Sequence, residues 1–170
     1  MCTLDLINNK NVALTQDMID LLAAGVAHQV GGCTNDGRPS VCRGLAAEIE
    51  PDGRLVVILS AKAGFEVLAA VRESGRVALN LTLPENYRSM SLLGRDAVVS
   101  DAGSGYRALV NDRYHKFREQ LDRHGIPPAY TKAWYEPPDE ELVAIRFTPF
   151  SARNQTPGPD AGGALPLKTA

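Results

Sequence analysis

A chain of 170 residues suits one hydrophobic core and leaves little room for two. Its 44% hydrophobic and 22% charged content is that of an ordinary soluble globular protein. A net charge of -2, from 18 basic and 20 acidic side chains, gives no global attraction for nucleic acid, so a small molecule or a protein is the expected partner.

The first stretch, Met1 to Asn11, carries Asp5 and no long apolar run, so no signal peptide is expected. No segment approaches the roughly 20 apolar residues of a membrane span. Three cysteines (Cys2, Cys33 and Cys42) without a C-x-x-C pair fit neither a disulfide framework nor a zinc site. A reducing cytoplasm without a metal centre is the simple expectation.

Thr15, Gln16 and Asp17 read as a helix cap with an acidic first turn. Met18, Ile19, Leu22 and Val26 then recur near helical spacing, which predicts a helix over about 15–25 with Gly25 at its end. A strand from Val26 to Thr34 leads into Asn35-Asp36-Gly37, a hairpin signal, and a second strand runs from Arg38 to about Glu50. Pro51-Asp52-Gly53 turns the chain into Leu55-Val56-Val57-Ile58-Leu59, which is apolar on both faces and belongs inside a sheet covered on both sides.

A short helix is predicted from Lys62 to Ser74, with Gly75 at its end. Val77, Leu79, Leu81 and Leu83 alternate with Ala78, Asn80 and Thr82, the clearest strand pattern in the chain. After Pro84-Glu85-Asn86, Arg88 to Asp101 reads as one strand with a possible bulge at Gly94. Tyr106, Leu109, Val110, Tyr114, Phe117 and Leu121 predict an amphipathic helix over about 104–124, stopped by Gly125 and Pro127-Pro128. Residues 129–141 read as an irregular excursion, and Leu142 to Phe150 as the last strand. The tail over 156–170 is rich in Pro and Gly and is expected to be either mobile or held by the body or a partner subunit.

Hairpin-linked strands decorated with helices imply a mainly β fold, a small antiparallel barrel, over 1–155 with a helical insertion at about 104–141. Neither G-x-G-x-x-G nor G-x-x-x-x-G-K-[ST] occurs, so dinucleotide and P-loop sites are unsupported.

Three pieces, in order, carry a further suggestion: Gly37-Arg38-Pro39-Ser40-Val41-Cys42-Arg43, Leu59-Ser60-Ala61-Lys62 and Arg88-Ser89-Met90-Ser91-Leu92-Leu93-Gly94. Their order and spacing, over about 14–102, resemble the pyridoxamine 5'-phosphate oxidase-like FMN-binding split barrels. The resemblance implies an antiparallel split β-barrel, a homodimer, and a flavin mononucleotide in each of two clefts between subunits, with deazaflavin or haem as alternatives. It places Ser60 and Lys62 near the flavin phosphate, where free N–H groups at a helix start would help. Arg43 would complete the phosphate pocket, with Cys42 as the alternative match. Arg88 and Ser89 would approach the flavin.

The match departs from the oxidases proper at two places. Their Ser-Arg-Lys is here Ser60-Ala61-Lys62, and Ser89 stands where they carry a glutamine. Pyridoxamine phosphate oxidation is therefore not expected, because the fold does not fix the reaction. The readings left are a flavin-dependent oxidoreductase acting on a small molecule, or a non-catalytic binder of flavin or another planar ligand.

Outside that set, Cys33, Cys42 and His28 are expected to pack in the core. His115 and His124 are nine apart on one helix and do not share a face. Tyr130, Trp134 and Tyr135 read as a lid or as packing, and Arg153, Asn154 and Gln155 as possible cleft residues just after the last strand.

Overall fold

The computed structural model describes residues 14–139 and 141–167. The expectations for Met1 to Asn11, Cys2 and the last three residues of the tail fall outside the described residues. In chain order the elements are α1 (Gln16–Ala23), β1 (Ala27–Cys33), β2 (Pro39–Gly44), β3 (Ala46–Ile49), β4 (Leu55–Ser60), α2 (Phe65–Ser74), β5 (Val77–Thr82), β6 (Ser89–Gly94), β7 (Val98–Asp101), α3 (Tyr106–Arg123), α4 (Pro128–Tyr135), β8 (Leu142–Phe147), β9 (Ser151–Asn154) and β10 (Ala164–Leu165).

Helix α1 begins where Thr15 Oγ1 accepts the Met18 N–H at 3.4 Å, with Asp17 in the first turn. It buries Met18, Leu21 and Leu22, and each such side chain contributes about 1.5–3 kcal/mol as an upper estimate. Gly25 follows the helix, and its role is steric. A Cβ there would lie 2.3 Å from the carbonyl carbon of Lys116 in α3, so only glycine lets α3 pass this close.

The strands form two antiparallel sheets, ordered β10-β9-β6-β5-β1-β2 and β3-β4-β8-β7. The predicted strand over 38–50 is two strands, because the chain changes sheet at Leu45, whose N–H already donates to Ile58 in the second sheet at 2.8 Å. The predicted strand over 88–101 divides likewise at 95–97, and Gly94 marks the corner rather than a bulge. A Cβ at Gly94 would sit 2.4 Å from Cδ2 of Phe147, a fully buried ring. The last predicted strand, over Leu142 to Phe150, is β8 and ends at Phe147, and a further strand, β9, follows beyond it. These crossings wrap the two sheets around one core, in which Val30, Leu55, Val57, Leu59, Leu79, Leu81, Leu92, Ile145 and Phe147 are buried.

Strand β4 is buried along its whole length, as its sequence demands. Leu55, Val57 and Leu59 face the main core. Val56 and Ile58 face a second cluster with Ala144, Leu142 and Val110 of α3. Helix α3 is pinned to that sheet by Arg146, whose Nε donates to both Glu50 carboxylate oxygens at 3.0 Å. The hydroxyl of Tyr106, at the start of α3, donates to the same carboxylate at 2.5 Å.

Two more expectations are revised. The excursion after Pro127 contains α4, because Pro128 stands in its first turn, where a missing N–H costs nothing. Helix α2 begins at Phe65 rather than Lys62. Ser60 closes a turn ahead of it, its Oγ accepting the Ala63 N–H at 3.0 Å and its carbonyl the Gly64 N–H at 2.9 Å. The tail, described to residue 167, is held by the body. Strand β10 pairs with β9, and Leu165 and Leu167 pack on the main core. No described helix is long and apolar enough to cross a membrane.

Candidate functional site

A cavity of about 360 Å³ opens where the β1–β2 corner meets α3 and α4. The sheet side supplies His28, Gln29, Cys42 and Arg43, and the helices supply Arg113, Tyr114, Phe117 and Tyr135. The Phe117 and Tyr135 rings meet edge to face, 5.0 Å between centroids, which holds the two helices together. Arg43 reaches across from β2. Its guanidinium donates to the carbonyl of Trp134 at 3.2 Å and to that of Tyr135, the last carbonyls of α4, and lies over the Tyr135 ring at 5.2 Å. A cation at a helix C-terminus satisfies carbonyls that lack partners and opposes the helix dipole.

His28 is buried, and its Nε2 has no hydrogen-bond partner among the described residues. Burial first, then the positive charges of Arg113 and Arg43, push its pKa down to about 3, so the ring is neutral at physiological pH. Arg113 is mostly enclosed and pairs with Asp112 at the surface, while its Nε is also buried without a partner. Burial raises the Cys42 thiol to about 11, which leaves it protonated and a poor nucleophile.

The five residues singled out from the sequence stand in three places. Arg43 lines the cavity just described. Ser60, buried, and Lys62, exposed, lie in the turn between β4 and α2, and Lys62 makes no ion pair among the described residues. Arg88 and Ser89 border a separate groove of about 720 Å³, with Asp17, Asn154 and Thr156. There Arg88 pairs with the Asp17 carboxylate, and the Ser89 hydroxyl donates to the Tyr87 carbonyl at 2.8 Å. Within one chain, no single cavity brings the five together.

Pairing register exposes a feature that no short motif reveals. Arg43 sits opposite Gln29, Gln29 opposite Asn80, Asn80 opposite Ser91, and Ser91 opposite Arg153. Cross-strand partners share a face, so one polar row crosses five strands of the six-stranded sheet, with an arginine at each end. The next row on that face, Val41, Gly31, Ala78 and Leu93, is apolar and ends on Ser151 of β9. These residues are exposed or half-buried, in contrast to the buried residues of the opposite face. Alternation along each strand signals such a face, but only the register aligns its polar members.

His28 and Arg113 were not legible as neighbours, being 85 positions apart on a strand and a helix. The alternation of β1 marks His28 as inward-facing, but nothing in the sequence places α3 against it.

No family model and no curated protein matches the chain. Its structure is similar to HupZ of Group A Streptococcus, with 15% identity over 88% of this chain and 99% of that one, at a TM-score of 0.53. It is similar to a protein named F420 reductase, with 20% identity over 82% of this chain and 98% of that one, at a TM-score of 0.50. A pyridoxamine 5'-phosphate oxidase-related, FMN-binding protein from Nostoc punctiforme aligns over 83% of this chain and 84% of its own, at 13% identity and a TM-score of 0.48. The two antiparallel sheets and the helices that cover them give this chain an antiparallel split-barrel fold, which it shares with HupZ and F420 reductase.

Proposed function

We propose that the chain is a flavin-dependent oxidoreductase of a small-molecule substrate, working as a homodimer that holds a flavin mononucleotide between its subunits. The observation that carries this reading is the exposed and half-buried face of the six-stranded sheet, covered by α4 only at its Arg43 end, where an apolar row beside an arginine-ended polar row suits a second subunit and a planar anionic ligand. Gly31 and Ala78 keep the face flat enough for a ring system to approach. A flavin phosphate needs fixed cations, and two are at hand. Among the described residues the exposed Lys62, beside the Ser60 turn, makes no ion pair, and Arg153 donates to the Gly162 carbonyl at 3.3 Å.

Bound flavin would supply the electron transfer. The chain's own residues would anchor the phosphate, orient the ring and shape the pocket. A deazaflavin stays in view, because F420 reductase shares the fold. Cys33 and Cys42 are free thiols, which agrees with a reducing, cytoplasmic setting. The engagement of Arg43 by α4 favours one second reading, a binder without catalysis, since it removes a cation from the phosphate's reach.

The deciding experiment is an absorption spectrum of the purified protein after excess flavin mononucleotide and desalting, beside its mass by light scattering. Retained bands near about 370 and 450 nm on a dimer are expected. A monomer that retains no flavin would overturn the proposal, and an intense Soret band would reassign the cofactor to haem.

A further inference from the structure

The cavity between the β1–β2 corner and α3–α4 has a chemistry of its own. Of the five candidate flavin contacts, Arg43 alone lines it. Among the described residues no carboxylate lines it, although two guanidinium groups do. Acidic groups stand around it, and Glu136 acts electrostatically on Tyr114. Asp112 pairs with Arg113 and, at 3.0 Å, with Lys116 on the outer surface of α3. Glu48 lies within electrostatic reach of Arg113, and its own carboxyl is pushed up, chiefly by burial. His28 contributes no charge.

With Asp112 offsetting only part of Arg113, the lining keeps a net positive charge, which suits an anion. The remaining walls are the Tyr114, Phe117 and Tyr135 rings. At about 360 Å³, the volume falls at the small end of the roughly 300–1,000 Å³ typical of ligand sites. Two polar atoms of lining residues, His28 Nε2 and Arg113 Nε, are buried with no hydrogen-bond partner among the described residues, a condition that proteins rarely leave uncompensated.

We infer that this cavity binds a small aromatic carboxylate, its anion held by Arg113 and its rings against Tyr114, Phe117 and Tyr135. The binding goes beyond the flavin reading and does not depend on it. Where flavin is also bound, such an acid is the candidate substrate or effector.

Calorimetric titration of the full-length protein with 2-naphthoate and with its neutral analogue 2-naphthamide tests this, on flavin-free and flavin-loaded samples. Saturable binding of the acid is expected, with the amide weaker by about tenfold or more, as loss of a charge-assisted hydrogen bond requires. Intermolecular NMR contacts should run from the naphthyl protons to the rings of Phe117 and Tyr135. Arg113→Met, shown to be folded by circular dichroism, should weaken the acid about tenfold and leave the amide unchanged. If that variant does not fold, the comparison of acid with amide decides.

No saturable binding, equal binding of acid and amide, contacts to another surface, or wild-type affinity in folded Arg113→Met would each overturn the assignment. Binding of the acid by protein that retains no flavin would uphold this site while removing the flavin reading.

Discussion

Arg43 in β2 donates to the carbonyl of Trp134, 91 residues further along the chain, and so ties the edge of the six-stranded sheet to the end of α4. The second bond of the same fork, to the Tyr135 carbonyl, makes the contact bidentate. Arg43→Ala should lower stability by about 2–3 kcal/mol, the order expected for two hydrogen bonds from a charged donor. Arg43→Lys should restore less than half of it, because an ammonium cannot reproduce the planar fork. Urea denaturation measures the loss. Tryptic cleavage after Lys132, in α4, should quicken in the alanine variant. Wild-type stability together with unchanged cleavage would show that α4 does not need the tie.

Gly25 lies directly against the backbone of α3. Gly25→Ala puts a methyl group 2.3 Å from a backbone carbon of Lys116, which no side-chain rotation can relieve. The cost should be about 3 kcal/mol or more, read as an earlier denaturation midpoint. Gly105→Ala is the control. Its added Cβ meets nothing within 4 Å and its φ of -63° is helical, so its stability should stay within about 0.5 kcal/mol of wild type.

His28 gives the acid limb of the stability curve a predicted shape. Its pKa falls from 6.5 to about 3 on folding, so the unfolded chain takes up the proton first. The stability linked to this group is therefore complete above about 6.5 and is lost as pH falls from there towards about 3, at up to about 1.4 kcal/mol per pH unit. His28→Gln should flatten that limb and leave the pH dependence above 7 unchanged. An identical acid limb in the variant would show that other groups set it.

Lys62 is exposed and should matter to flavin alone. Lys62→Ala should weaken flavin mononucleotide binding by about tenfold to a hundredfold, as expected for loss of one charge-assisted bond to phosphate, with no change in denaturation midpoint. Fluorescence titration of free flavin checks the first and thermal unfolding the second. Unchanged affinity would remove Lys62 from the site.

What the sequence disclosed, and what it withheld, follows from the range of each interaction. The alternation from Val77 to Thr82 and the apolar run from Leu55 to Leu59 are local consequences of burial, and both formed as their patterns demand. The sheet-to-sheet corners at Leu45 and Gly94 were hidden, because a strand that changes partners keeps a strand's composition. Only the approach of Phe147 to Gly94 explains why glycine stands there. Helix α4 was hidden by Pro127-Pro128, which ends one helix and admits the next. The cavity was least legible of all. His28, Arg43, Arg113 and Tyr135 come from four elements, and their juxtaposition rests on the docking of α3, which no local pattern encodes. The five residues named from resemblance fall in three places within one chain.

Strands β7 and β8 are antiparallel neighbours in register from Asp101 with Val143 to Val98 with Arg146, and the Ala102 N–H still donates to the Leu142 carbonyl at 3.2 Å. The chain thus leaves the sheet and rejoins it at adjoining positions, and the whole helical excursion is topologically the loop of a single hairpin. The excursion supplies Arg113, Tyr114, Phe117 and Tyr135 to the cavity, while the sheet supplies the rest. A shorter connection at that point would preserve every strand pairing and abolish the cavity. The lining of that corner and the cover over Val56 and Ile58 are therefore carried by one hairpin loop, so a change in the loop alters both together.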